Sequence, residues 1–509
     1  MSDDISLADV AGARTCNTIS LLVPAYQYKI KCAWTKEASL PAVEEFTCRL
    51  LLAMQELLPG EIQKYFGLNK RECEVLVETL VRNKLAVYTN DGHLAPSTML
   101  IDRTKGDSSV APSLTKYEDQ IEQPVFELLT RSIMPHTSYN RSRYGLPEIP
   151  VPLENKAWSS QDVTEAFGRQ YRAYLDFSRI HETEAARMRL YKVGSCQQDR
   201  AIQIPVDMNI DLVPHQSGAV HMHRSLTERQ GSTRQRPLTM EMEAKISDFL
   251  GQLRINQSGI SLHDYCKVFR DDVLERYVDD RGLDINAWLL DHSERKTGYG
   301  SQLTRAMIGP VYLQSNRLTI QKTLEQLAKD WGEAAVHTAI WLSSSVPLWA
   351  ASGNALHEFC RKVSENLTQV PGRRGPVTAI FPSDDPRQDN ALYRRYHNRV
   401  PNGITYKGDS LQDRLEILLI PGQLAVVQFH DQPSRDSAIT VPIGYMTHDP
   451  ERLAIIEGYL YQRLSGRGEP SVAWSEEENT TAAKLLGADR IEKPDDGVTR
   501  QRLSLKRPQ

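Results

Sequence analysis

The residue nearest to chemistry in this sequence is His430. It ends an apolar run, QLAVVQF (423–429), and is followed by Asp431, Gln432, Pro433, Ser434, Arg435, Asp436 and Ser437. His430, Arg435 and Asp436 are the residues of this stretch whose types could do chemistry. A second set is His221 and His223 in AVHMHR, which share one face if that segment is a strand. With His215 nearby and Asp207 and Asp211 as helpers, they have the chemistry of metal ligands. No third fixed ligand stands out on another segment, so a polar strand edge without metal is the expectation. A third set is Arg224, Arg229, Arg234 and Arg236 in RSLTERQGSTRQRP (224–237). It reads as an exposed loop whose local positive charge suits phosphate contact, although such runs are more often simple solvated loops.

Other reactions leave no trace. Gly298-Tyr299-Gly300-Ser301 is too short for a phosphate loop and no G-K-[ST] follows. There is no G-x-S-x-G, H-E-x-x-H, dinucleotide fingerprint or kinase set. No cofactor is expected.

The elements that must position His430 lie in 320–465. HTAIWLSSSVPLW (337–349) reads as a buried strand running into a loop, and 354–365 as a helix with Leu356, Phe359, Cys360 and Val363 on one face. Strands are expected at 375–385, 403–408, 414–420, 423–429 and 438–446, with Pro421-Gly422 as a turn between two of them. A last helix near 449–464 aligns Leu453, Ile456, Leu460 and Leu464. This order resembles a phospholipase D-like domain, in which one strand ends in H-x-K-x-x-x-x-D and the next leads into a G-S-x-N-type turn. Here His430 keeps its place, Gln432 stands at the lysine position and Ser437 at the aspartate position. Asp436 falls one residue early, and the later turn reads Gly444, Tyr445, Met446, Thr447. The resemblance implies a domain whose catalytic motif is degenerate and whose role is binding or dimerisation. Arg435 could in principle replace the lysine, and no second motif occurs.

A second resemblance covers 42–98. Val43, Phe46, Leu50, Met54 and Leu57 form a helical stripe over 42–58, ended by Pro59-Gly60. EIQKYFGL (61–68) is a short helix closed by Gly67. Asn69 with Glu72 starts a third helix in capping-box fashion, with Cys73, Leu76, Val77, Leu80 and Val81 on its apolar face. KLAVYT (84–89), an Asn-Asp-Gly turn and HLAPS follow as a hairpin. Three helices and a hairpin resemble a winged helix-turn-helix domain, whose third helix would present Lys70, Arg71, Glu74 and Glu78. The block carries six basic residues (Arg49, Lys64, Lys70, Arg71, Arg82, Lys84) against eight acidic ones, a net charge of −2. Phosphate contact needs local positive charge, so DNA contact and partner docking both remain open for it. Together the two resemblances are similar to TrmB-type regulators and to bacterial defence proteins in architecture.

Composition sets the frame. The 509 residues are 40% hydrophobic and 25% charged, with a formal net charge of −4, so no global basic excess marks a nucleic-acid binder. Seven cysteines without C-x-x-C spacing argue against a disulfide framework. The acidic, polar N-terminus lacks the pattern of a signal peptide, and no apolar run approaches the ~18 residues of a bilayer span. A cytoplasmic protein with no membrane partner is expected.

The expected fold is α+β and multidomain: an extension (1–41), a winged helix (42–102), a mixed α/β middle (117–315), a phospholipase D-like α/β domain (320–465) and a disordered tail (466–509). Residues 103–116 read as a linker, 120–135 as a short helix, 136–160 as irregular and 161–182 as a helix. Strands are expected at 20–34 and 187–213, and helices over 240–290. The expected function is non-catalytic, in nucleic-acid association or assembly. Double-stranded DNA would bind through Lys70 and Arg71 or the 224–236 arginines, and a protein partner or second copy through the C-terminal domain. Two alternatives stay open: a phosphodiesterase or nuclease using His430, as an anti-phage defence effector, and a scaffold subunit of a larger complex.

Overall fold

A computed structural model describes residues 14–134, 145–177, 188–215, 220–230, 234–256, 258–383, 385–406, 413–433, 438–465 and 470–487. The chain is α+β and divides into two compact units, one of residues 25–137 and 151–202, the other of 1–24, 138–150 and 203–509. The strands β1 (Arg14–Ser39) and β7 (Met188–Pro214) each contribute residues to both.

In the first unit β1 leads into α1 (Ala42–Met54), α2 (Pro59–Phe66) and α3 (Lys70–Arg82). The hairpin β2 (Ala86–Tyr88) and β3 (Leu94–Pro96) and a short α4 (Thr98–Thr104) follow. This is the three-helix and hairpin order of a winged helix. Its boundaries follow from local chemistry. Pro59 opens α2, where its missing N–H costs nothing, and Gly67 closes it at φ 66°. The Asn69 side chain accepts from Glu72 N at 2.8 Å while Glu72 accepts from Asn69 N at 2.9 Å. Cys73, Leu76, Val77 and Leu80 face a core shared with Leu51, Leu52, Ile62, Leu85 and Leu94.

The face of α1 differs from expectation. Val43, Phe46 and Met54 are 41%, 54% and 60% exposed, and Thr47, Cys48, Leu51 and Leu52 are the buried residues. The helix carries two apolar sets at helical spacing, and the second turns inward. Thr47 can join it because its hydroxyl donates to Val43 O at 2.6 Å within the helix. Leu57 is buried, but beyond the helix end, where it bridges to Leu94.

The remainder of this unit is a sheet under a helix. β4 (Ser113–Glu122) and β5 (Val125–Glu127) pair antiparallel with β1, and β6 (Ile133–Met134) pairs with β5. The helix expected at 120–135 is thus replaced by strands. Buried Glu127 accounts for the turn between β5 and β6: its carboxylate accepts from the backbone N–H groups of Leu129, Thr130 and Ser132. Part of the expected linker is likewise strand β4. After α5 (Leu153–Lys156), α6 (Ser160–Phe177) lays Val163, Phe167, Tyr171 and Leu175 on Tyr28, Ile30, Trp34 and Phe126. Residues 178–182 of the expected helix lie outside the described residues.

In the second unit β7 pairs with β8 (Val220–Gln230), and β8 with β9 (Arg234–Pro237). Helices α7 (Met240–Gln252), α8 (Leu262–Val268) and α9 (Asp272–Glu275) come next. The hairpin β10 (Val278–Asp279) and β11 (Gly282–Leu283) and α10 (Ile285–Ser293) complete this stretch. The second half alternates β12 (Thr304–Ile308), α11 (Gln314–Leu327), β13 (Ala339–Leu342), α12 (Asn354–Asn366), β14 (Val377–Pro382) and α13 (Pro386–Tyr396). It continues with β15 (Asn402–Tyr406), β16 (Leu415–Ile420), β17 (Leu424–Asp431), β18 (Val441–Thr447) and α14 (Pro450–Leu464). It closes with β19 (Ser471–Trp474) and α15 (Ala482–Leu486).

The strands β12 to β19 form one eight-stranded sheet in the order β12-β18-β17-β16-β13-β14-β15-β19. β13, β14 and β15 run parallel and the other pairs antiparallel. Both faces are covered. Ile340, Ile417, Leu419, Val427 and Ile443 face α14 and the α8 region, while Trp341, Leu418, Val426 and Met446 face α11 and α12. Two-sided burial explains why these strands read as unbroken apolar runs. The polar tail is not wholly irregular: Ser471–Trp474 adds the edge strand β19, and Trp474 Nε1 donates to Val400 O at 2.9 Å. Residues 488–509 lie outside the described residues. Among the described residues no helix is long and apolar enough to cross a membrane.

Candidate functional site

The third helix of the winged-helix block is positioned by its cap and its core. With Cys73, Leu76, Val77 and Leu80 turned inward, Lys70, Arg71, Glu74, Val75 and Glu78 are left exposed. Lys70 and Arg71 occupy the first turn, beside the helix N-terminus, whose partial positive charge adds to theirs. Tyr88, from the hairpin, is exposed as well.

The four arginines of 224–237 lie on a hairpin rather than a loop. Arg224 and Arg229 belong to β8, and Arg234 and Arg236 to β9; Gln230 pairs with Arg234 and Glu228 with Arg236. A polar segment can form a strand here because the backbone ladder to β7, not an apolar face, supports it. Arg224 is exposed; the side chains of Arg229, Arg234 and Arg236 lie outside the described set.

His221 and His223 stand two residues apart on β8, both exposed, and the His215 and His221 rings meet edge to face at 5.0 Å. Asp211 accepts from the Thr15 hydroxyl at 2.5 Å and Asp207 from the Ser20 hydroxyl at 2.7 Å, so both carboxylates help bind β7 to the start of β1. Among the described residues no group of three His, Cys, Asp or Glu could hold a metal ion.

His430 is 3% exposed and sits inside the sheet. Its Nε2 meets Glu416 Oε2 at 2.6 Å and its Nδ1 meets Thr440 Oγ1 at 3.2 Å. Glu416 Oε1 in turn accepts from Trp341 Nε1 at 2.8 Å. Both ring nitrogens are therefore engaged in one buried chain, Trp341–Glu416–His430–Thr440. The cavity beside it is about 10 Å³, roughly the room of a single water. A phosphodiester has no access to either nitrogen in this arrangement. Arg435 and Asp436 lie outside the described residues.

Successive strand residues point to opposite faces, so Phe429 and Asp431 look away from this network. They line an open cavity of about 890 Å³ together with Arg254, Arg281, Arg414 and Gln432. One wall is the loop after α7, held by Asp413. The Asp413 carboxylate accepts from Ile260 N at 3.2 Å and from Arg414 N at 2.7 Å, and pairs with Arg463 at 2.8 Å. Gly259, at φ +97°, lies so close that a Cβ there would fall 2.3 Å from the carboxylate. On the floor Arg414 Nε donates to His430 O at 2.8 Å and its guanidinium lies 4.6 Å over the Phe429 ring. Burial pushes the Asp431 carboxyl up to about 6, against the pull of Arg414.

A second buried carboxyl, Asp271, is also pushed up to about 6 by burial and accepts from Tyr299 OH at 2.8 Å. Burial raises the thiols of Cys16, Cys32, Cys48 and Cys360 to about 12, far from the thiolate form a nucleophile needs.

Sequence reasoning named His430 but missed Glu416, its principal partner, and the arginines of the cavity. Glu416 had one available signal: a lone acid inside the apolar run RLEILLI. Arg254, Arg281 and Arg414 share no spacing that could link them.

No family model matches the chain, and no curated protein matches it. Five solved chains match. One of them comes from the structure of TrmBL2, an archaeal chromatin protein described as showing a novel mode of DNA binding. It is 10% identical, and the alignment covers 47% of this chain and 76% of that one at a TM-score of 0.19; a likeness that slight carries no argument.

Proposed function

We propose that the protein is a non-catalytic nucleic-acid-associated or assembly protein. Its winged-helix block (42–102) contacts double-stranded DNA through Lys70 and Arg71, with the arginine hairpin of 224–237 as a second basic element. Its C-terminal domain (320–465), read as a degenerate phospholipase D-like domain, binds a protein partner or a second copy. The observation that carries the DNA reading is the exposure of Lys70 and Arg71 on the first turn of α3, the helix a winged helix-turn-helix sets against DNA. The occupied nitrogens and burial of His430 favour binding over phosphodiester cleavage at that residue.

A gel shift of the full chain on duplex DNA at about 50 and about 200 mM salt tests this reading, because phosphate contacts weaken as salt rises. Binding that falls with salt, with the DNA left intact by both the wild type and His430→Ala, is expected. No binding in either salt removes the nucleic-acid reading. Cleavage abolished by His430→Ala replaces it with the nuclease. A stoichiometric protein partner that co-purifies independently of DNA points to the scaffold instead.

A further inference from the structure

We propose that the cavity at the end of β17 is a binding site for a small molecule bearing phosphate groups. This goes beyond the nucleic-acid reading and does not depend on it. Three elements distant in sequence each send an arginine to the cavity: Arg254 from the loop after α7, Arg281 from the β10–β11 turn, and Arg414 from the residue before β16. Among the described lining residues the one carboxylate is Asp431; Asp279 and Asp280, which precede Arg281, do not line it. The excess is therefore positive. Guanidinium groups arriving from separate segments suit a tetrahedral oxyanion, which accepts from many directions, better than a flat carboxylate.

The site is built rather than incidental. Arg414 and Asp431 have side chains only 15% and 13% exposed, and their charged groups stand 3.9 Å apart on the floor. The wall that carries Arg254 is pinned through Gly259 and Ile260 to Asp413, which Arg463 neutralises from behind. Arg254 donates to the carbonyls of Gly251 and Leu253, which orients it at the rim. Arg281 is exposed on the facing hairpin. The volume, about 890 Å³, is in the range of small-molecule sites, with room for more than one phosphate. Arg414 is recessed behind this rim, which suits a small ligand better than a duplex backbone. The cavity also lies on the face of β17 opposite His430, so it is separate from the motif that the sequence brought forward.

Titration calorimetry of the full chain with inorganic pyrophosphate, and separately with citrate, tests the assignment. Saturable pyrophosphate binding, tighter than citrate, is expected. Arg281→Gln and Arg254→Gln, both at the exposed rim, should each weaken it roughly five- to ten-fold, the loss of one charge-assisted hydrogen bond. Asp431→Asn, which removes the opposing charge, should tighten it about three-fold or more. Circular dichroism confirms that each variant is folded. No saturable heat, affinity indifferent to both rim variants, or a preference for citrate would overturn the proposal. Competition by duplex DNA for the pyrophosphate site would likewise overturn it, in favour of a nucleic-acid groove. The gel shift of the preceding subsection can fail or succeed without altering any of these outcomes.

Discussion

The winged-helix block and the eight-stranded sheet treat polar groups in opposite ways. The block buries none of its charged residues, and it leaves Phe46, Met54, Tyr65, Val75 and Tyr88 exposed besides. The sheet takes Glu416, Gln428 and His430 inside and engages each: the first and last are joined to each other, and Gln428 donates to Gly309 O at 2.8 Å while its Oε1 has no partner among the described residues. Apart from the capping acid Glu72, a charged residue in the block is thus available to a partner and contributes little to folding. One in the sheet is bound into the fold, because a buried polar group must be satisfied or pay its desolvation in full. The comparison separates His430, which has the residue type for chemistry and a structural position, from Lys70 and Arg71, which have no motif and a free face.

The largest effect that can break this contrast is Glu416→Ala. It strands His430 and Trp341 Nε1 in the sheet and should cost on the order of 3–5 kcal/mol in denaturant unfolding. Glu78→Ala, on the outer face of α3, should stay within about 0.5 kcal/mol. Equal costs would erase the distinction between the two regions.

The buried carboxyls give a pH signature of the same kind. Burial raises the Asp271 and Asp431 carboxyls to about 6 in the folded protein, from an ordinary aspartate value of 3.8. A raised carboxyl pKa means that the folded state binds the proton more tightly. Their contribution is therefore full below about 3.8 and is lost as pH rises through about 6. Acids with lowered values, half-buried Glu365 and exposed Glu477, act in the other direction. A difference experiment isolates the buried group: Asp271→Asn should change the slope of stability against pH between about 4 and 6, and leave it unchanged above about 7. An unchanged slope in the lower window would mean that Asp271 titrates normally.

Asn69→Ala should cost about 1 kcal/mol, the usual loss for an N-cap, well below the loss for Glu416→Ala. It should slightly loosen the first turn of α3 and with it the geometry of Lys70 and Arg71. A loss above about 3 kcal/mol would show that α3 depends on its cap far more than on its core.

Much of the fold was legible where its causes are local. Pro59, Gly67 and the Asn69–Glu72 pair mark the helix ends of the block in the sequence itself. The two-sided burial of β16, β17 and β18 leaves unmistakable apolar runs. What escaped had causes elsewhere. Which side of α1 turns inward was decided by its neighbours, since the helix offers two apolar sets. The turn at 127–132 depends on a carboxylate that folds back on its own backbone. The hairpin of 220–237 is held by a ladder to β7 that no side-chain pattern announces. The cavity is the extreme case, because Arg254, Arg281 and Arg414 meet only after more than one segment has folded.

The most direct test of the central claim is the salt dependence of duplex DNA binding, by fluorescence anisotropy, for the wild type and for Lys70→Ala/Arg71→Ala. The double variant should bind roughly ten-fold more weakly at low salt, with a slope of log affinity against log salt smaller by about two. An unchanged affinity and slope in a folded double variant would contradict the account.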